Sequence, residues 1–189
     1  MSLLLHDEII KSYEEGKILI QPYNQNNIGP NSYDVRLDKT LKIYKNVNDE
    51  KNNRNNELIL DCKKKHSTVL LTIPEEGLIL YPGNLYLGCT IEKIGSDYYV
   101  PMYEGRSSLA RLGIMSHCSA GFGDIGFKSF WTTEIQVILP VRIYPNMRIG
   151  QVYFHNVNQE YNKPENRYHG KYVNQTDAQE SKFYEDFKT

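Results

Sequence analysis

The segment Glu104–Ile114, EGRSSLARLGI, has the residue types and spacing for chemistry on a phosphorylated substrate. Arg106 and Arg111 carry planar guanidinium groups that fit phosphate oxygens. The letters SSLAR predict one helical turn, and Ser107 and Arg111 share a face of it because residues i and i+4 are neighbours on a helix. Ser108 is able to cap this turn or to offer its backbone N–H to an anion.

An isolated RSSxxR pattern is also typical of an exposed turn whose arginines pair with surface acids. The neighbouring apolar residues favour the first interpretation, because Leu109, Leu112 and Ile114 are expected to anchor the other face of the turn. The sequence therefore predicts an anion-binding turn held on a rigid framework.

Glu134 is the second candidate for chemistry. In FWTTEIQVIL, the alternation predicts a strand with Trp131, Thr133, Ile135 and Val137 on one face and Thr132, Glu134 and Gln136 on the other. A glutamate among bulky residues is expected to be partly shielded. Burial raises a carboxyl pKa and a nearby arginine lowers it, so the balance leaves a usable general acid or base that activates a water. On spacing alone, a solvent-facing position on a half-exposed strand stays open.

Three motifs in this order, GRSSLARLG, HCSAGFGDIGF and TTE, resemble the dCTP deaminases of the trimeric dUTPase superfamily. The likeness covers nearly the whole chain, and only Lys45–Asn56 and Asn158–Tyr168 lack clear counterparts. The other matching segments are Ile28–Leu37, Ile73–Gly88, Ile143–Phe154 and Gly170–Phe187.

The resemblance implies a mechanism without metal at the reacting carbon. In the family, the glutamate in the place of Glu134 moves protons between a bound water, the ring N3 and the leaving amine. Ser107 and the backbone carbonyl of Ala120 would hold the water, and Arg111 would support the charge. The substrate-binding residues implied are Arg106, Ser107, Ser108 and Arg111 at the phosphates, Asp124 at the sugar, Thr132, Thr133 and Glu134 at the base edge, and Gln151, Tyr161, Lys171 and Gln175 closing over the triphosphate, with Tyr161 preferred to Tyr168.

The resemblance also implies partners and regulation. Mg²⁺ would be bound through the triphosphate and not by protein side chains. The active sites would lie between the subunits of a homotrimer. dTTP would act as a feedback inhibitor through the loop of His117, Cys118, Ser119, Ala120 and Gly121, although these small residues also suit a simple tight turn.

The product and the branch of the family stay open. Gly121-Phe122 resembles the branch that also cleaves the triphosphate and gives dUMP and pyrophosphate instead of dUTP. A dUTP diphosphatase is the main alternative, but the chain lacks the glycine-rich C-terminal arm of that branch. A non-enzymatic nucleotide-sensing trimer is the third interpretation. One departure lies at Gly123-Asp124-Ile125-Gly126, where the family usually has I-D-P/A-G. Gly123 gives extra backbone freedom beside the aspartate that the resemblance assigns to the sugar, and this bears on sugar discrimination.

The cysteines argue against zinc catalysis. Zinc-dependent nucleotide deaminases combine an H-x-E segment with a P-C-x-x-C segment. The letters HDE at positions 6–8 match the first, but Cys62, Cys89 and Cys118 are single and widely separated. The HDE segment is better interpreted as the start of a helix, because acidic residues favour the positive end of the helix dipole.

Composition favours a cytoplasmic enzyme. Three cysteines without paired spacing do not indicate a disulfide framework, and no apolar run reaches membrane-spanning length. A formal net charge of −1 gives no general attraction to nucleic acid.

The chain is expected to form one all-β domain over residues 1–189, a distorted β-barrel of the dUTPase-like type with a short N-terminal helix. Residues 45–56 would be a mobile polar loop, and 158–189 a linker and a tail that closes over the substrate. The predicted helix is Asp7–Glu15. The predicted strands are Ile18–Gln21, Tyr33–Leu37, Leu41–Tyr44, Val69–Ile73, Leu78–Leu80, Leu85–Ile91, Tyr98–Tyr103, Ile114–His117, Phe130–Leu139, Val141–Ile143 and Gln151–Asn156.

Overall fold

The computed structural model of the chain describes residues 2–45 and 58–188. The mobile loop expected at 45–56 lies, apart from Lys45, outside the described residues. The regular elements are α1 His6–Glu14, β1 Ile18–Gln21, β2 Tyr33–Tyr44, β3 Thr68–Thr72, β4 Leu78–Leu80, β5 Tyr86–Thr90, β6 Lys93–Ser96, β7 Tyr99–Gly105, α2 Ser107–Ala110, β8 Ile114–Met115, β9 Lys128–Ser129, β10 Thr132–Val137, β11 Val141–Ile143 and β12 Arg148–Asn156. Four 3-10 helices are Gln25–Asn27, Gln159–Tyr161, Pro164–Asn166 and Phe183–Phe187.

The main sheet has seven antiparallel strands, in the order β7-β12-β2-β5-β10-β8 with β3 also paired to β2. Two small sheets, β1-β6-β9 and β11-β4, complete the framework. Together they enclose the apolar core in a distorted, nearly closed β-barrel, with α1 as a short N-terminal helix. The expected fold class is therefore confirmed.

Strand β2 is the longest of the elements in residues 2–45 and 58–188, and it is continuous where the sequence predicts two strands, Tyr33–Leu37 and Leu41–Tyr44. It pairs with β12 over its first residues and with β5 and β3 further on. The register against β5 shifts between Leu37 and Leu41, so the polar residues between them interrupt the pattern but not the strand.

Several predicted bounds are right and others are wrong. The strands Ile18–Gln21, Leu78–Leu80 and Val141–Ile143 have the predicted bounds, whereas β6 and β9 are not predicted at all. A Cβ atom at Gly95 would lie 1.8 Å from the carbonyl oxygen of Phe127, so only glycine lets β6 and β9 approach this closely. The predicted strand Phe130–Leu139 shortens to β10, and Ile138 and Leu139 are exposed beyond its end.

A buried ion pair fastens β2 to the turn between β5 and β6. The side chain of Glu92 has no exposed surface. Its Oε1 atom accepts from Arg36 Nε at 2.6 Å, and its Oε2 atom accepts from the backbone N–H of Arg36 at 2.8 Å. The hydroxyl of Thr90 donates to the Glu92 carbonyl at 2.8 Å. This arrangement is a structural clamp, because both carboxylate oxygens are used within the fold.

Candidate active site

A cavity of about 480 Å³ lies against the face of the main sheet that carries Glu134. Side chains from β5, from β10, from the loop before β9 and from the C-terminal tail surround it. The lining residues are Tyr44, Leu85, Leu87, Ala120, Phe122, Gly123, Asp124, Phe127, Trp131, Thr132, Glu134, Tyr168, Tyr172, Gln175, Gln179 and Ser181. Of the predicted site residues, the cavity brings together Ala120, Asp124, Thr132, Glu134 and Gln175; these are called the pocket group below.

Strand β10 places Glu134 as the alternation predicts. Trp131, Thr133, Ile135 and Val137 are buried, whereas Thr132, Glu134 and Gln136 are half-buried. Burial raises the pKa of the Glu134 carboxyl, and the backbone N–H groups of Glu134 and Cys118 together with nearby His117 oppose the rise. No lysine or arginine in the described part of the chain forms an ion pair with it. The protonated form of this carboxyl is thus more accessible than that of an exposed glutamate, as a group that exchanges protons requires.

Aromatic rings form one wall of the cavity. The indole of Trp131 stacks on Tyr103 with centroids 6.0 Å apart, and Phe127 meets it edge-on at 5.3 Å. Phe127 in turn meets Tyr168 edge-on at 5.6 Å. Trp131 Nε1 donates to the Ile94 carbonyl at 3.1 Å, which fixes the ring. Such a wall suits a planar heterocycle or a sugar ring.

The unusual Gly123 before Asp124 has a packing reason. A Cβ atom at this position would lie 2.5 Å from the Trp131 ring and 2.7 Å from the Pro101 carbonyl oxygen. Its N–H donates to that carbonyl at 3.0 Å. Glycine therefore lets the loop carry Asp124 across the aromatic wall, and the departure from the family pattern leaves Asp124 in the pocket group.

The loop of residues 117–121 lies between β7 and Glu134. His117 Nε2 is 3.3 Å from Glu104 Oε1, and Cys118 Sγ donates to the Glu134 carbonyl at 3.6 Å. Tyr103 donates its N–H to the Gly121 carbonyl at 2.7 Å, and a Cβ at Gly121 would clash with the Tyr103 carbonyl. A movement of this loop would consequently change the surroundings of Glu134.

The residues predicted to bind phosphate lie elsewhere on the molecule. Arg106 Nη2 is 3.2 Å from Asp34 Oδ2, and Arg148 Nη1 is 3.4 Å from the same oxygen. Gln151 donates from Nε2 to the Gly105 carbonyl at 3.2 Å and accepts from Ser32 at 3.0 Å. Arg106, Ser107, Ser108, Arg111 and Gln151 are called the arginine group below, and none of them lines the cavity with Glu134.

Helix α2 confirms the predicted turn but corrects two details. Arg106 is the N-terminal capping position and no side chain caps the helix, so Ser108 does not cap it. Leu109 is half-buried and Ile114 is buried, but Leu112 is 58% exposed. Gly113, with φ +75°, reverses the chain directly after the helix and leaves Leu112 on the outside.

The tail holds the remaining predicted residues. Gln175 is buried, and its side-chain amide donates to the Phe130 carbonyl. Lys171 forms an ion pair with Asp186. Tyr161 is 70% exposed on a 3-10 helix and lies outside the cavity, whereas Tyr168 lines it. Within this chain the geometry therefore favours Tyr168 over the predicted Tyr161 as the tail tyrosine of the cavity.

Sequence reasoning missed part of the cavity. Tyr172, Gln179 and Ser181 line it, but their tail segment has no local motif that indicates contact with β10. The sequence pattern predicts Trp131 only as a buried strand residue. A single tryptophan three residues before a candidate acid is nevertheless a signal that could indicate a binding site.

Among residues 2–45 and 58–188, no three or more His, Cys, Asp or Glu side chains cluster closely enough to hold a metal ion. No helix in the same ranges is both long and apolar enough to cross a membrane.

Comparisons with known proteins agree with one another. A family model described as dCTP deaminase-like matches residues 3–157. A relative from Hathewaya histolytica, named "dCTP deaminase, dUMP-forming", is 46% identical over 186 residues, which are 98% of this chain and 100% of the relative. A relative from Clostridium acetobutylicum with the same name is 44% identical over 185 residues, 98% of this chain and 99% of the relative.

Among solved structures, the 2'-deoxycytidine 5'-triphosphate deaminase from Agrobacterium tumefaciens has a similar fold, with a TM-score of 0.59 and 17% identity. The match covers 82% of this chain and 48% of the solved chain, so this chain spans about half of that protein's length.

Proposed function

Because this chain belongs to the dCTP deaminase-like family, we propose that it converts dCTP and two waters into dUMP, ammonia and pyrophosphate. The relatives named as dUMP-forming match it over nearly its whole length, which supports the coupled reaction over simple release of dUTP. The observation that carries the proposal is Glu134, a partly buried carboxyl with a raised pKa at a cavity with an aromatic wall.

Deamination needs a nucleophilic water at C4 of the cytosine and a proton on N3. Glu134 takes one proton from the water as its oxygen bonds to C4, and delivers this proton to N3. It then takes the remaining proton of the new C4 hydroxyl and gives it to the amine, so that the C4–N bond breaks, ammonia leaves and C4 becomes a carbonyl. One carboxyl therefore serves as base and as acid. Ala120 lines the same cavity, and its backbone carbonyl would accept a hydrogen bond from this water. Ser107 holds the water from the other side, and Arg111 stabilises the charge that develops.

The separation of the two predicted groups supports an active site between subunits. The pocket group has the acid and the aromatic wall, and the arginine group has the cations, but one chain does not combine them. Exposed apolar residues surround the reversal after α2, where Ile138 N donates to the Gly113 carbonyl at 2.9 Å. These residues are Leu112, Met115, Ile138 and Leu139. We propose a homotrimer in which this surface is buried and α2 of one subunit faces the cavity of the next.

The arginine group recognises the triphosphate, and Mg²⁺ arrives with the nucleotide. Its members are hydrogen-bond donors and guanidinium groups, which suit phosphate oxygens and not a metal ion. The Asp34 carboxylate is 3.2 Å from Arg106, a member of this group, and 3.4 Å from Arg148 outside it, and it orients both side chains.

Feedback inhibition by dTTP is the regulatory part of the proposal. A pyrimidine triphosphate that favours a second arrangement of the loop 117–121 would inhibit by removing Ala120 and Cys118 from Glu134. Titration of dTTP against dCTP turnover tests this, and sigmoidal substrate dependence that deepens with dTTP is expected. An absence of inhibition at saturating dTTP would rule it out.

One assay tests the reaction. The purified protein is incubated with dCTP and Mg²⁺, and ammonia, dUTP, dUMP and pyrophosphate are measured together. Equal amounts of ammonia, dUMP and pyrophosphate are expected. Accumulation of dUTP would indicate a simple deaminase. Cleavage of added dUTP without ammonia from dCTP would indicate a dUTP diphosphatase, and binding of dCTP without any product would indicate a nucleotide sensor.

A further inference from the structure

The tail segment Gln175–Ser181, called the strap below, crosses the cavity close to Thr132. Gln179 donates its N–H to Thr132 Oγ1 at 3.0 Å, and that hydroxyl is 3.5 Å from Gln175 Oε1. Ser129 donates to the Gln175 carbonyl at 2.9 Å. The strap thus covers the part of β10 that was expected to read the base edge.

The strap contains no helix or strand, so it needs side-chain contacts to hold it in place. Ala178 supplies a small apolar contact, since it is buried against Leu87 and Cys89. The charged contacts are stronger candidates for a fixed anchor, because an ion pair whose cation is largely buried is screened less by solvent than a fully exposed pair.

Lys42 on β2 supplies such an anchor from outside the cavity. Its Nζ atom is 3.1 Å from Asp177 Oδ2 and 3.4 Å from Glu180 Oε1, and its side chain is only 15% exposed. Thr68 on β3 donates to Glu180 Oε1 at 2.5 Å, and Ser181 donates its N–H to the hydroxyl of Tyr44 at 3.2 Å.

The sheet register explains why this anchor can act on the active site. Lys42 is paired with Leu87 on β5, and Leu87 is paired with Glu134 on β10. Directly paired residues point to the same face of a sheet, so the three side chains form one row, with Lys42 about 10 Å from Glu134, two strand spacings away. The strap runs over this row and is held at the end opposite to Glu134.

We infer that Lys42 is a positioning residue for substrate binding, which acts by holding the strap over the nucleotide. The inference rests on the proposed function, because it assumes that dCTP occupies the cavity with Glu134. Lys42 touches no reacting atom. Its loss weakens the closure of the strap on substrate and transition state alike, so it changes KM and not kcat.

The decisive experiment compares Lys42→Met with Lys42→Arg in steady-state kinetics on dCTP. Lys42→Met is expected to raise KM roughly tenfold, the loss of one charge-assisted contact, with kcat changed less than about twofold. Lys42→Arg keeps the charge and is expected to restore most of the affinity. Lys11→Met, at an exposed lysine on α1, is the matched control and should behave as the unmodified protein. An unchanged KM in Lys42→Met would overturn the inference, and so would an equal loss in Lys42→Arg.

Hydrogen exchange provides a readout that does not depend on activity. The N–H groups of Gln179 and Ser181 are expected to exchange faster in Lys42→Met, while those of the main sheet keep their rates. If Lys42→Met does not fold, the double variant Asp177→Asn with Glu180→Gln removes the two carboxylates that pair with Lys42. It must then give the same two effects, a raised KM for dCTP and faster exchange of the strap N–H groups. If the unmodified protein releases no ammonia from dCTP, the proposed function fails; the exchange rates still decide whether Lys42 holds the strap.

Discussion

Two carboxylates of this protein are withdrawn from solvent, and they have opposite roles. Glu92 has no exposed surface, and the side chain and backbone of Arg36 use both of its oxygens. Glu134 is half-buried, without an arginine or lysine partner among the described residues, and burial raises its pKa. The protein therefore uses both oxygens of the first carboxylate within the fold and leaves the second without a cationic side chain in contact with it.

The important difference between the two carboxylates is whether a cationic side chain compensates the negative charge, and not how deeply each is buried. Removing the partner of a buried ion pair leaves an uncompensated charge, so the pair of Arg36 and Glu92 is part of the framework. Glu134 is shielded without a lysine or arginine beside it, and burial therefore raises its pKa. In this protein the missing cationic partner, more than the degree of burial, distinguishes the candidate acid.

The largest effect is expected when Glu134 loses its ability to ionise. Glu134→Gln keeps the shape of the side chain but cannot move protons, so deamination should fall by about 10²–10⁴-fold while dCTP still binds. Ammonia release and nucleotide binding measure the two properties separately. Glu160→Gln, at an exposed glutamate, is the control. A rate above about a tenth of the original would remove Glu134 from the acid–base role.

The matching change at Glu92 should affect folding instead of chemistry. Glu92→Ala leaves the guanidinium of Arg36 without its partner, and the free energy of unfolding should fall by about 3–5 kcal/mol. Urea denaturation measures this loss. The folded fraction should keep its kcat, and a variant with normal stability but impaired turnover would contradict the assignment of Glu92 as a structural clamp.

Smaller effects are expected for substitutions in the arginine group, where Arg106 is assigned to substrate binding and Ser107 to turnover. Arg106→Ala should raise KM about tenfold or more, because a hydrogen bond to a charged group contributes about 1.5–3 kcal/mol. Ser107→Ala should mainly lower kcat, because it releases the attacking water. Arg142→Ala, at an arginine that donates to the Glu76 carbonyl, is the matched control. The reverse pattern in kinetics would show that the assigned roles are wrong.

The smallest effect concerns the stability of Glu134→Gln. The pKa of Glu134 is raised in the folded protein above 4.5, the ordinary carboxyl value. The folded state therefore favours the protonated carboxyl. The free energy of unfolding decreases as the pH rises from below 4.5 through the folded pKa, because Glu134 then ionises. The variant should therefore have a higher Tm than the original protein at neutral pH, and the difference should vanish below pH 4.5. The same raised pKa places the acid limb of kcat/KM above 4.5, with activity lost as pH falls. A Tm difference that does not change with pH would contradict this account.

The sequence predicts the elements whose pattern is local. The alternation around Glu134 gives β10 and its two faces, because the buried and the half-buried residues differ in type. Strands β6 and β9 are short, and β6 depends on Gly95 for its close contact with β9. Neither strand therefore has an alternation of residue types from which it could be predicted.

The sequence does not predict the role of a residue when that role depends on a partner far away along the chain. Arg36 and Glu92 are 56 residues apart, and nothing in either segment indicates the other. The contact of Lys42 with Asp177 joins a strand to a tail without a motif. The motifs also do not reveal that Arg111 is outside the cavity that Glu134 lines, because this depends on the pairing of the whole sheet.

Trp131 is the only tryptophan of the chain, and it lies in the wall of the candidate active site. The indole emits light at longer wavelength than the 15 tyrosines, so its emission is separable from theirs. The protein thus has a built-in fluorophore in the wall of the candidate active site. Quenching of that emission would follow the filling of the cavity in real time, without a label and in variants that no longer turn over.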